Sequence, residues 1–242
     1  MQLKSNELAG NFLQPTWRVN STLGTRVILV RHGESTFNAQ HRHQGSSDES
    51  VLTEIGHRAA RQTGIFLRGL SFDAVYTSSL KRTQQTANEM LEVMEPAIEL
   101  NKIHATYALR EIDLPAWQGL LHREVQEKFA EDYRCWRQRP HEFRMVTPEK
   151  YRGLQPDEIH LGLYSGSINA AAIQTKPKGL TSLAENSVYT FPVVDLYSRA
   201  QKFWQEILPH HANQTLLIVS HSGTIRALIA TALGLKPERF HT

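Results

Sequence analysis

One cysteine among 242 residues, Cys135, excludes a disulfide framework within the chain. That scarcity fits a reducing, cytoplasmic setting, and Cys135, beside Trp136 in a helical pattern, reads as a packing residue. No stretch reaches the ~18 consecutive apolar residues of a membrane span, and the most apolar C-terminal stretch is interrupted by Arg226. The first residues lack a basic region followed by an apolar run, so they do not read as a secretory signal. Glu7 and the few Arg and Ser there argue against a transit peptide. There is no Lys/Arg run and no RNA-binding signature. The 27 basic and 24 acidic residues are interspersed and leave a net charge of +3, a balance that favours a small anionic substrate over nucleic acid. Metal-ligand spacing is also lacking. His41 and His43 flank Arg42, with His32 an imaginable third ligand, but no acidic set completes a site. They read as a solvated loop near a pocket mouth.

The chain is 40% hydrophobic, enough for one domain with a substantial core. Arg26 to Arg31, RVILVR, is a β-branched run between Gly24 and Gly33 and predicts a buried strand. A helix is expected from Thr53, its N-cap, to Leu70, and a strand over Asp73 to Thr77. Ser79 is expected to cap a helix running to Met94, with a short strand over Ala97 to Ile103 after it. Helices follow over Leu121 to Gln138 and Val194 to Leu208, each stopped by a proline. Thr215 to Ser220, TLLIVS, is a buried strand, and Gly223 to Leu233 a helix closed by Gly234. Alternating strands and helices predict an α/β fold, a three-layer α/β/α sandwich with a mainly parallel central sheet. Residues 1–24 read as an N-terminal extension to a domain over 25–242. Residues 145–190 break the rhythm with scattered Gly and Pro and read as a long insertion, a lid or a disordered loop. Trp117 and Trp136 read as packing residues.

Three strand ends carry polar groups that a buried strand does not need. They are Arg31-His32-Gly33-Glu34-Ser35, followed by Asn38; Ser78-Ser79-Leu80-Lys81-Arg82; and Ser220-His221-Ser222-Gly223. In a parallel sheet all three ends lie on one edge, where ligands bind. Two arginines and two histidines would then converge. Guanidinium forks match phosphate oxygens, and helix N-termini near Ser79 and Ser222 would add backbone donors. A histidine among cations is biased toward its neutral, nucleophilic form. The pattern points to phosphoryl chemistry without a metal.

Four blocks in order, LVRHGES at 29–35, SSLKRTQQTA at 78–87, LREIDLPAWQGL at 109–120 and VSHSGTIRAL at 219–228, resemble the signature of the histidine phosphatase superfamily, with its phosphoglycerate mutase-like fold. The resemblance implies that His32 accepts the phosphoryl group and that Arg31, Arg82 and His221 bind its oxygens. It gives Asn38 a part in positioning the phosphate, and Ser222 and Gly223 a part through their backbone. Glu111 falls at the family's proton donor, protonating the leaving oxygen and then activating water. LREIDLPAWQGLL, EKFAEDYRCW and RPHEF look similar to plant and cyanobacterial relatives of 2-carboxy-D-arabinitol-1-phosphate phosphatase, which implies sugar phosphates as substrates. The expected partner is thus a small phosphorylated metabolite, with no nucleic acid, membrane or cofactor. The same residues would serve a phosphatase, a phosphoglycerate mutase-type transferase or a catalytically weak binding module. The family continues past the last helix with a further sheet strand, whereas this chain stops at Thr242. The expectation is therefore an exposed sheet edge in a fragment or a variant with impaired folding.

Overall fold

A computed structural model describes residues 24–146 and 189–242. The extension before Gly24 and the insertion between 146 and 189 lie outside the described residues. Four parallel strands form the main sheet in the order β1 (Arg26–Arg31), β6 (Thr215–Ser220), β2 (Ala74–Ser78) and β3 (Ile103–Thr106). The central strand β6 is buried on both faces, which explains its unbroken apolar run. Its Leu216 and Ile218 pack with α6 (Pro192–Ile207) and α7 (Ser222–Ala232). Leu217 and Val219 point the other way, to α2 (Glu54–Phe66) and α3 (Lys81–Leu91). This is the expected three-layer sandwich. Among the described residues β1 has one strand partner, β6, and its residues are only partly covered.

Several boundaries differ from the sequence reading, each for a physical reason. α2 starts where expected, with Thr53 Oγ1 accepting from the Gly56 N–H at 3.1 Å, but it stops at Phe66. Ser79 is not the cap of α3. The N-cap is Leu80, which has no acceptor to offer, and Asp48 Oδ1 takes the Lys81 N–H at 2.7 Å instead. The strand expected over 97–103 lies later, because pairing with β2 runs from Val75↔Ile103 to Ser78↔Thr106. The helix expected over 121–138 is two, α4 (His122–Lys128) and α5 (Ala130–Gln138), broken where Phe129 adopts φ −126°, ψ 41°. α6 begins two residues early, its Pro192 suiting a first turn that needs no N–H there. Two elements were not anticipated. One is the short helix α1 (Thr36–Ala39). The other is an antiparallel pair, β4 (Met145–Val146) with β5 (Tyr189–Thr190), at the two ends of the insertion.

Two glycines allow the backbone crossing that sets the end of β1. A Cβ on Gly33 would lie 2.5 Å from the Gly56 carbonyl oxygen, and one on Gly56 would lie 2.1 Å from that of Glu34. The first turn of α2 therefore presses directly on the residues that follow His32.

Trp117 is fully buried and stands among the rings of Phe129, Tyr133, Trp136 and Phe143. This aromatic cluster joins α4 and α5 to the main core. No helix among the described residues is long and apolar enough to cross a membrane.

Candidate active site

The carboxyl ends of β1, β2 and β6 open onto a cavity of about 340 Å³. Arg31, His32, Asn38, Arg82, Glu111, Ser222 and Gly223 all line it. His221 lies one layer deeper. It is fully buried, with its ring centroid 5.2 Å from that of His32. The two histidines meet because β1 and β6 pair Arg31 with Ser220, and the His32 N–H donates to the Ser220 carbonyl at 3.0 Å.

The tautomer of His32 follows from its neighbour. Nδ1 is 2.7 Å from the Gly33 carbonyl oxygen, which can only accept. Nδ1 therefore carries the proton, and Nε2 keeps its lone pair. Burial, then the Arg82 guanidinium, push His32 down to about 3, with Arg31 adding to the effect and the Gly33 hydrogen bond opposing it. At neutral pH the ring is uncharged, with a lone pair on Nε2. Thr86 ties it to the cation beside it: Thr86 Oγ1 accepts from the Gly33 N–H at 3.0 Å and donates to the Arg82 carbonyl at 2.7 Å. His221 is likewise held well below its usual value, by burial first and by Arg82 next. Its Nε2 is 2.9 Å from Ser78 Oγ, and its Nδ1 is buried with no hydrogen-bond partner among the described residues.

Arg82 is 1% exposed. Burial lowers it to about 10, so it stays cationic at neutral pH, with Glu111 and then Asp48 supporting its charge. Its two terminal nitrogens donate to the Ser47 carbonyl at 2.7 Å and the Gly45 carbonyl at 2.9 Å. The Arg31 side chain, at the exposed end of β1, makes no hydrogen bond or ion pair among the described residues and lines the cavity. Asn38 Oδ1 accepts from Ser35 Oγ at 3.0 Å, which leaves its amide NH₂ for the cavity.

Glu111 sits against the first turn of α7. Its Oε2 accepts from the Gly223 N–H at 3.1 Å, and its Oε1 from Thr224 N at 3.1 Å and Ile112 N at 2.9 Å. The helix N-terminus therefore faces a carboxylate, a favourable placement in its dipole field. This corrects two expectations. Both helix N-termini were expected to offer backbone donors to phosphate, yet Lys81 N–H goes to Asp48 and Gly223 N–H goes to Glu111. Gly223 contributes room instead, since a Cβ there would stand 2.5 Å from Glu111 Oε1. The segment bearing Glu111 is fixed from behind, with Ser220 Oγ donating to the Leu109 carbonyl at 2.8 Å and Thr224 Oγ1 to the Arg110 carbonyl at 2.7 Å. The other carboxylates near in sequence are occupied elsewhere. Glu34 Oε1 accepts from Thr53 Oγ1 at 2.7 Å, and Asp113 accepts from Ser46 Oγ and Gln118.

Several cavity residues escaped the sequence reading. His122, Arg137 and Arg226 line the cavity. Nothing local marked them, because each lies in a helix or loop whose approach to the cavity is set by tertiary packing. The loop expected near a pocket mouth does reach the cavity, where Arg42 and His43 line it, and the His43 ring meets that of His122 at 4.5 Å. No group of three or more His, Cys, Asp or Glu able to hold a metal ion occurs among the described residues.

The buried histidines make stability depend on pH. Burial, with His122 beside it, pushes His43 down to about 4. An unfolded histidine takes its proton near 6.5, whereas the fold resists until about 3 at His32 and about 4 at His43. In that window the unfolded chain binds more protons, so stability is full above pH 6.5 and falls as the pH drops. The slope is about 1.4 kcal/mol per pH unit for each such histidine well below 6.5. Urea midpoints measured at pH 7.5, 6, 5.5 and 5 are expected to fall steadily below 6.5. A midpoint unchanged between 7.5 and 5 would mean that these rings do protonate in the fold.

The sequence profile of the histidine phosphatase superfamily (branch 1) matches residues 27–156 and 157–242. A probable 2-carboxy-D-arabinitol-1-phosphatase of Arabidopsis thaliana is 36% identical over 95% of this chain and 37% of its own length. The chain thus spans little more than a third of that relative. Phosphoserine phosphatase 1 of Hydrogenobacter thermophilus is 31% identical over 89% of this chain and 79% of its own. Among solved structures, Bacillus stearothermophilus YhfR superposes with a TM-score of 0.63 at 25% identity, covering 90% of this chain and 84% of that one. With the profile matched over residues 27–156 and 157–242 and the histidine, arginine and glutamate motifs brought to one cavity, the chain belongs to the histidine phosphatase superfamily, branch 1.

Proposed function

We propose that the protein is a phosphatase that hydrolyses phosphate monoesters of small sugar-like metabolites through a phosphohistidine at His32. The observation that carries this reading is a neutral His32 with a lone pair on Nε2, lining one cavity with Arg31, Arg82 and Glu111. Nε2 attacks phosphorus and forms the P–N bond while the ester P–O bond breaks. The departing oxygen takes a proton from Glu111. Water then attacks phosphorus and gives a proton back to the Glu111 carboxylate, and the P–N electron pair returns to Nε2. Arg31 and Arg82 neutralise the phosphoryl oxygens throughout. Metal is not needed for any of these steps.

Substrate class is supported by the cavity's charge. Five arginines line it (Arg31, Arg42, Arg82, Arg137 and Arg226) against one carboxylate, Glu111. The Arg137 and Arg226 side chains have no hydrogen-bond or ion-pair partner among the described residues, and both line the cavity. A second acidic group on the substrate suits them, and carboxylated sugar phosphates of the kind named for the plant relative have one. The single cysteine is consistent with a cytoplasmic setting.

Phosphate release from a panel of sugar phosphates, with and without an added carboxylate, tests the reading. Turnover is expected to survive EDTA and to favour the carboxylated members by about tenfold or more in kcat/KM, the scale of one charge-assisted contact. A bisphosphoglycerate primer should not be needed. No release from any member, or release restored only by added Zn²⁺ or Mg²⁺, would overturn it.

A further inference from the structure

Three consecutive carbonyls hold two guanidinium groups. The Gly45 and Ser47 carbonyls take the two terminal nitrogens of Arg82, and the Ser46 carbonyl between them takes Arg110 Nη2 at 3.0 Å. The loop therefore grips Arg82 from one side while that residue lines the cavity with the other. A loop of this kind holds a cation in place only if it is held itself. Its middle residue is anchored by its side chain: Ser46 Oγ donates to Asp113 Oδ1. Gln118 closes the arrangement, its amide donating to Asp113 Oδ1 at 3.0 Å and to Ser46 Oγ at 3.1 Å. Room for that amide comes from Gly45, at φ +50°, where a Cβ would stand 2.8 Å from Gln118 Nε2.

We propose that Asp113 is a positioning residue for phosphate binding, acting through Ser46 and the 45–47 carbonyls to aim the Arg82 fork into the cavity. It does not touch the substrate and transfers no proton. It lies two residues beyond Glu111 on one short segment, so that segment supplies the proton carrier directly and sets the principal buried cation indirectly. A carboxylate at this position is chemically apt. It accepts from two donors at once. Burial pushes its carboxyl above the usual range, and the Ser46 hydrogen bond, the Arg199 and Arg110 guanidinium groups and the Gln118 hydrogen bond oppose that shift. Both donors reach the same oxygen, Oδ1, so asparagine could keep both bonds at its carbonyl oxygen, but without a carboxylate's charge those bonds weaken and the counter-charge to the neighbouring guanidinium groups is lost.

The proposal rests on the phosphatase reading only for its kinetic arm. Binding of inorganic phosphate to the full chain is measured directly by calorimetry, with no turnover required. Asp113→Asn is expected to weaken phosphate binding about tenfold, and Ser46→Ala to weaken it in the same direction. The double variant should be no worse than Asp113→Asn, because both act along one route. In turnover, KM is expected to rise while the ratio of rates on a sugar phosphate and on nitrophenyl phosphate stays at the wild-type value, since Glu111 is untouched. A folded Asp113→Asn with wild-type phosphate affinity would overturn the inference. So would fully additive losses in the double variant, or a changed leaving-group ratio, which would make Asp113 a proton carrier. Should Asp113→Asn fail to fold, Ser46→Ala alone must still show the affinity loss. Absence of turnover in the wild type would instead count against the phosphatase reading and leave the binding arm standing.

Discussion

Replacing His32 by alanine is expected to reduce turnover on the order of 10⁴-fold or more, the scale seen when an enzyme loses its covalent nucleophile. In the proposed reaction Nε2 is the atom that forms the bond to phosphorus, and the ring beside it, His221, is fully buried and absent from the cavity wall. Water has no positioned base to replace it in the first step. Rapid-quench experiments with radiolabelled substrate are expected to find an acid-labile, alkali-stable phosphoenzyme in the wild type and none in the variant. The fold should persist, because His32 bonds mainly through its backbone, to Ser220 and, via Gly33, to Thr86. Wild-type activity in the folded variant would remove His32 as the acceptor.

The second large effect concerns Glu111→Gln. Glutamine cannot transfer the proton, and a sugar hydroxyl leaves poorly without one, so a loss of about 10²- to 10⁴-fold is expected on a sugar phosphate. The structure adds a complication. Oε1 and Oε2 both accept backbone N–H groups, so one end of a glutamine amide must turn a donor toward another donor. Some loss will therefore come from a disturbed first turn of α7, whatever the substrate. Comparing leaving groups within the same variant cancels that part. Nitrophenol departs readily without a proton, so single-turnover phosphorylation should be far less impaired with nitrophenyl phosphate than with a sugar phosphate. Equal losses on both would show that the disturbed helix start, and not proton transfer, explains the defect.

Much of the site was legible because its residues sit where periodicity ends. RVILVR and TLLIVS read as strands from apolar runs alone, and both appear over the expected residues, with His32 and His221 immediately after them. Arg82 was placed correctly although the cap of its helix was not. A side chain such as Asp48, reaching Lys81 from a distant loop, leaves no local signature. The same limit explains the split at Phe129 and the displaced strand β3, which are decided by packing and pairing with elements far along the chain. Gly223 was read for its backbone donor, but its use depends on a carboxylate from position 111, which only the folded chain brings to it. Arg137 and Arg226 are ordinary surface-pattern arginines until α5 and α7 place them at a common cavity.

The pairing of β1 with β6 has a further consequence. His32 and His221 each follow the last matched pair, Arg31 with Ser220, so the alignment of the two strands measures out the positions of the two imidazoles like a vernier. A slip of one residue would send alternate side chains to the opposite face and bring Arg31 or Gly33 level with His221 in place of the nucleophile. Such a misaligned molecule could keep its helices, its compactness and most of its buried area, and still have no imidazole at the phosphorus. Specific activity in this chain is therefore a stricter gauge of correct assembly than circular dichroism or a melting curve. A refolded preparation that looks native by spectroscopy but turns over substoichiometrically would be a mixture of alignments.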